Sequence, residues 1–156
     1  MNNKIKLIQK KFPKLEVTDS GGTATYISGI PGAPSAAPFL SSVVSAGDAI
    51  YLSGQIPVDP VTNKMVALGI VSETEQVFNN IEAVLKGIGL TLSDVVKSSV
   101  YLTSAGFDEF AKFNEVYVKR MGPCRPAREA IEVGRLAMGA TVEITVTAYR
   151  DGGLTK

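Results

Sequence analysis

The chain has 156 residues, 45% hydrophobic and 20% charged, with 16 basic against 15 acidic side chains and a net charge of +1. That length suits one domain with a sizeable core, the balanced charge offers no global field for nucleic acid, and no apolar run is long enough to span a membrane. There is no histidine, no tryptophan and a single cysteine, Cys124, which excludes Ser-His-Asp and Cys-His catalysis, most zinc sites, the two-histidine pair of many ribonucleases and an internal disulfide.

Residues 1–15 carry Lys4, Lys6, Lys10, Lys11 and Lys14, with no acid before Glu16. A targeting arm would favour arginine and serine, which this stretch lacks, so a solvated extension is expected. Residues 19–38 are rich in Gly, Pro, Ala and Ser and read as a loop. The division predicted is therefore an extension and loop over 1–36, one domain over 37–150 and a tail over 151–156. The lone cysteine fits a reducing compartment, and a cytoplasmic protein is expected.

Val43-Val44 and then Ala49 to Ser53 read as two strands joined at Ala46-Gly47-Asp48. Pro57, Asp59-Pro60 and Asn63 make a loop. Ser72 with Glu75 forms a capping-box pattern opening a helix. Val77, Ile81, Val84, Leu85 and Ile88 recur at helical spacing, and Gly89 can end that helix in a left-handed conformation. Val95 to Thr103 reads as a strand with Val96, Val100 and Leu102 on one face. Phe107, Phe110, Tyr117 and Met121 mark a second amphipathic helix, stopped at Gly122-Pro123. Ala127 to Val133 and Thr141 to Tyr149 are two further strands.

The order β-β-α-β-α-β-β with right-handed crossovers puts both helices on one face of a single mixed sheet, an α+β fold. In the last strand Val142, Ile144, Val146 and Ala148 point one way, so Glu143, Thr145 and Thr147 point the other. If Ile131 and Val133 face the core, Arg128, Ala130 and Glu132 lie with Glu143 on the helix-free face, beside Lys97, Ser99 and Tyr101. That semi-polar face is either solvated or a subunit interface holding a polar pocket.

Arginine grips a planar carboxylate with two parallel hydrogen bonds, and a nearby glutamate can handle a proton or a water. Arg128 and Glu143 thus suggest a site for a small carboxylate-bearing molecule. The plainer reading pairs Arg128 with Glu132 or Glu143 in a salt bridge. Asn114, Gln76 and Asn80 can equally satisfy neighbouring backbone groups. Lys112, Lys119, Arg120, Arg125 and Arg128 are the one basic cluster outside the extension.

Ser53-Gly54-Gln55-Ile56-Pro57 with Asp59-Pro60, Gln76 and Asn80, Asp94 to Lys97, Phe110 and Asn114, Tyr117, Pro126-Ala127-Arg128, Glu132-Val133, Arg135-Leu136 and Val142-Glu143-Ile144 stand in one order and spacing. Over residues 37–150 the chain resembles the RidA/YjgF reactive-intermediate deaminases. The resemblance implies a chorismate-mutase-like homotrimer with pockets between subunits, no cofactor and no metal. It implies hydrolysis of small enamines and imines, such as 2-aminoacrylate, to 2-keto acids and ammonia. It places the carboxylate-binding arginine on Arg128, the water-associated glutamate on Glu143, and other pocket positions on Asn114, Ser53 and Gly54. Phe39 stands where a pocket tyrosine is common, Ala130 where a cysteine is common and Glu129 where a serine is frequent. Two rival functions share these residues: a non-catalytic module binding keto acids, and an endoribonuclease acting on single-stranded RNA.

Overall fold

The computed structural model describes residues 3–19, 21–66 and 68–155. The chain opens with α1 (Asn3–Lys11), whose Ile5 and Ile8 are buried while its lysines ring the outer side. Pro13 lies just beyond its end, as expected of a residue that cannot continue a helix. β1 (Glu16–Asp19) and β2 (Ala24–Ser28) then pair antiparallel. β2 pairs in turn with β3 (Val43–Ala46), and β3 with β4 (Ala49–Leu52). Residues 3–11, 16–19 and 24–28 are therefore not a solvated extension and loop, while 29–36 form no helix or strand. Ile8, Leu15, Ile27 and Ile30 lie in the main core, and the lysines conceal a two-residue apolar stripe too short to register as a periodic pattern.

A small hairpin follows, β5 (Val58–Asp59) with β6 (Lys64–Met65). The Asp59 carboxylate accepts the Val61 and Thr62 N–H groups at 2.8 and 2.9 Å. α2 (Ile70–Gly87) starts two residues before Ser72, capped by Gly69 with no side-chain cap. The predicted capping box is not formed: Glu75 turns instead to Arg120, at 2.6 Å. Gly89 does close the helix at φ 73°, with Leu90 N–H donating to Leu85 C=O at 2.8 Å.

β7 (Val95–Leu102) carries a bulge between Val95 and Lys97. Val95 is buried and Val96 half exposed, the reverse of strict alternation through Val96. The helical pattern after it divides into α3 (Ser104–Asp108) and α4 (Phe110–Met121), broken at Glu109. β8 (Ala127–Glu132) and β9 (Val142–Tyr149) complete a seven-stranded sheet in the order β1-β2-β3-β4-β9-β7-β8. Only β7 and β8 run parallel as neighbours. The sheet is mixed and the fold α+β, as expected. α2 and α4 pack on one face through Val77, Phe78, Ile81, Phe113 and Tyr117.

The register of β8 overturns one expectation. Arg128 lies opposite Ser98, and Ala130 opposite Val100, both buried toward the helices. Partners opposite each other in a sheet share a face. Arg128, Ala130 and Glu132 therefore stand on the helix side, and Glu129 and Ile131 on the helix-free side. Glu129 accepts a hydrogen bond from Ser99, and Ile131 is 47% exposed. β8 is an edge strand, so its apolar residues need not face the core, and inferring its phase from Ile131 fails for that reason.

Candidate functional site

The sequence-predicted residues fall into two separate groups. The first surrounds Glu143 on the helix-free face of β9. Gln55 exchanges backbone hydrogen bonds with Ile144, N–H to C=O at 2.9 Å and N–H from Ile144 at 3.0 Å. This lays Gly54 directly against Glu143: a Cβ on Gly54 would meet Glu143 Oε1 at 1.9 Å. The glycine is required by close approach, since its backbone is not left-handed. Ser53 is fixed by its hydroxyl, which donates to the Ser41 carbonyl at 2.6 Å.

The next carbonyls of this turn are held from α2. Asn80 Nδ2 donates to the Ile56 and Val58 carbonyls at 3.0 and 2.9 Å, and Gln76 Nε2 donates to Asn80 Oδ1 at 2.8 Å. Gln76 and Asn80 are thus structural. They position the turn, and neither lines the clefts beside Glu143 and Arg128.

Glu143 opens onto a cleft of about 520 Å³ lined by Phe39, Leu40, Ser53, Ile56 and Met138 among others. Burial raises its carboxyl above the ordinary carboxylate range. Among the described residues no hydrogen-bond donor or cation pairs with it. Phe39 is 86% exposed at the rim. Met138, in the segment between β8 and β9, lines this cleft with a left-handed backbone at φ 56°. Its bulk at a position that favours Gly or Asn was visible in the sequence only as a neighbour of Gly139.

The second group surrounds Arg128. Its Nη1 donates to Asn114 Oδ1 at 2.8 Å. Its guanidinium lies 4.6 Å from the Tyr117 ring centroid, with Phe110 and Phe113 at 5.8 and 5.9 Å. Stacking and one hydrogen bond orient the fork while leaving other N–H groups free for a ligand. No salt bridge to Glu132 or Glu143 forms. A cleft of about 420 Å³ adjoins it, bordered by Cys124, Arg125 and Pro126. Val133 N–H donates to Leu102 C=O at 2.8 Å, so by alternation the N–H and C=O of Ala130 point to the open edge of β8. The Arg128 side chain itself lies on the helix side of the sheet, over Tyr117.

β7 lies between β9 and β8, and the two groups stand on opposite faces. One chain does not bring Arg128 and Asn114 to Glu143, Ser53, Gly54 and Phe39. The basic cluster is also divided. Lys112 pairs with Glu109, Lys119 with Glu75, and Arg120 with Glu75 and Glu82, while Arg125 and Arg128 have no ion pair among the described residues. Among the described residues no group of three His, Cys, Asp or Glu side chains is placed to hold a metal, and no helix is long and apolar enough to cross a membrane.

A model of the family described as Endoribonuclease L-PSP matches residues 31–150. A RutC family protein of Pyrococcus horikoshii is 42% identical over 111 residues, covering 71% of this chain and 86% of that protein. The chain belongs to the RidA/YjgF family. Within that family, a 2-iminobutanoate/2-iminopropanoate deaminase of Capra hircus is 37% identical over 123 residues, covering 79% of this chain and 88% of that protein. The crystal structure of RidA from an Antarctic Psychrobacter matches with a TM-score of 0.71 at 39% identity, over 76% of this chain and 94% of that one. The RidA-family match begins at residue 31, so α1, β1 and β2 precede it.

Proposed function

We propose that this RidA-family chain hydrolyses small enamines and imines to 2-keto acids and ammonia, at sites assembled between copies of itself. One observation carries the reading. The chain holds an oriented guanidinium with open donors and, on the other face of the sheet, a half-buried carboxylate with no partner among the described residues. Each is half of a site, and a homotrimer of the kind implied by the resemblance would join them. The activity named for the goat relative supports the same chemistry.

In the assembled site Arg128 holds the substrate carboxylate and Asn114 holds Arg128. The open backbone groups of Ala130 offer a further hydrogen bond. Glu143 accepts a proton from water as the water oxygen bonds to the carbon of the protonated imine, whose C=N π pair returns to nitrogen, giving a neutral carbinolamine. The same carboxyl returns that proton to the amine nitrogen, and the C–N bond then breaks as the hydroxyl oxygen forms the keto carbonyl and gives its proton back to Glu143, releasing ammonia. Imines hydrolyse unaided, so placing water, substrate and proton acceptor together is a sufficient demand on the protein. Phe39 supplies an apolar wall where a phenol would have added a donor. RNA cleavage is less well supported, because three of the five clustered cations are neutralised.

The test is keto acid and ammonia release from freshly generated 2-aminoacrylate, measured against buffer. Arg128→Lys keeps charge but loses the fork and is expected to cost about 2–4 kcal/mol in kcat/KM. Glu143→Gln is expected to lower turnover by roughly 10²-fold while retaining pyruvate binding through Arg128. Wild-type turnover no faster than buffer, with pyruvate still bound, would instead favour a keto-acid-binding module.

A further inference from the structure

A third concavity lies away from both half-sites, where the amino-terminal segment crosses α2. It is an open groove of about 520 Å³, within the range of small-molecule sites. Its floor is Phe12, Leu15, Pro31 and Ala83. Gly87 lets the chain pass closely here: a Cβ on it would meet Ile30 Cγ2 at 2.3 Å.

The charge on this groove is one-sided. Lys11, Lys14 and Lys86 line it, and no acidic residue does. In a chain with 16 basic and 15 acidic side chains, that asymmetry is local. No carboxylate lies within ion-pair distance of the Lys14 or Lys86 ammonium among the described residues. The Lys11 ammonium lies over the Phe12 ring, 5.5 Å from its centroid. Arg150 reaches the Gly89 carbonyl just behind Phe12, adding a fourth cation nearby. An apolar floor with a cationic rim is complementary to a molecule with an apolar body and an anionic end.

We propose that this groove binds a small amphiphilic carboxylate, an acyl or aryl acid whose hydrocarbon part lies on Phe12, Leu15 and Ala83 and whose carboxylate meets Lys14 and Lys86. The long lysine stems extend the apolar floor while their ammonium groups remain in water at the ligand's wet end. The site joins residues 11–15, which precede the family match, to Pro31, Ala83 and Lys86 within it, and is independent of the deaminase reading.

Titration calorimetry with decanoate on the full chain tests it. Decanoate is expected to bind saturably at one site per chain. Decanol, with the same body and no charge, is expected to bind at least tenfold more weakly. Lys14→Gln with Lys86→Gln changes two exposed side chains and is expected to weaken decanoate at least tenfold. Ala83→Phe, which fills the floor, is expected to abolish binding. Arg128→Ala removes the other carboxylate-binding group and is expected to leave decanoate binding unchanged. The proposal is overturned by absence of saturable binding, by equal binding of decanol, or by an effect of Arg128→Ala in place of the lysine changes.

Discussion

Gly54 carries no side chain because Glu143 occupies the place where one would begin. Gly54→Ala is thus expected to leave the fold standing and move the carboxylate, since the glutamate can rotate away while the turn, paired to Ile144, cannot. Turnover should fall at least tenfold with a Tm change of only a few degrees, read by the 2-aminoacrylate assay and by thermal denaturation on one preparation. In the proposed mechanism Glu143 also sets a pH dependence. Burial raises its folded-state carboxyl, and activating water requires the ionised form. Activity should therefore fall as pH drops, with an acid limb above the ordinary carboxylate range and absent in Glu143→Gln. Stability has the opposite sign, because a raised folded-state pKa contributes stability at acid pH that is lost as pH rises through it. Glu143→Gln should accordingly melt higher than the parent near neutral pH, and the gap should close in acid. A pair of melting curves across that range measures it.

The elements differ in how far their residues announce them. α2 and β9 were legible because each buries one face and repeats its pattern for 18 and eight residues. β2 was not, since Ala24 to Ser28 sits among glycines and its buried Thr25 and Ile27 span one alternation only. β8 misled because an edge strand need not turn its apolar residues inward. The bulge in β7 shifted the strand's phase by one residue, which no local composition signals. Asn80 and Gln76 were legible as a matching pair, but only their geometry shows that they hold the Ile56 and Val58 carbonyls. Asn80→Ala removes one donor from each of those carbonyls, leaving Ile56 with the Val58 N–H and Val58 with the Gln76 amide, and should cost about 0.5–1.5 kcal/mol of stability, seen in urea denaturation. Because this turn carries Gly54, kcat should fall more than KM rises.

For the whole molecule, residue type and family resemblance suggest a chemistry for Arg128 and Glu143, whereas their placement on opposite faces of the sheet was not legible. The expected common face joined residues that the sheet holds apart. If copies complete each other's sites, an Arg128→Ala chain and a Glu143→Gln chain, each nearly inactive, should rescue one another. Random mixing in a ring gives about a quarter of interfaces with both native groups, so denatured and refolded mixtures should recover about a quarter of parental activity. A mixture as inactive as its parts would place both residues' work within a single chain. Light scattering on the parent, expected to report three copies, gives the matching mass.

The strand of β7 that stands between the two halves also makes the reaction order a reporter of assembly. A catalyst complete within one chain keeps its specific activity however far it is diluted. If the proposed sites form between copies, each lone chain carries a carboxylate without its arginine and an arginine without its carboxylate, and the isolated chain should be silent. Specific activity should hold at high concentration and collapse over a narrow range of dilution, with a lag on reconcentration set by the rate of re-encounter. The midpoint of that collapse gives the dissociation constant of the ring from turnover alone.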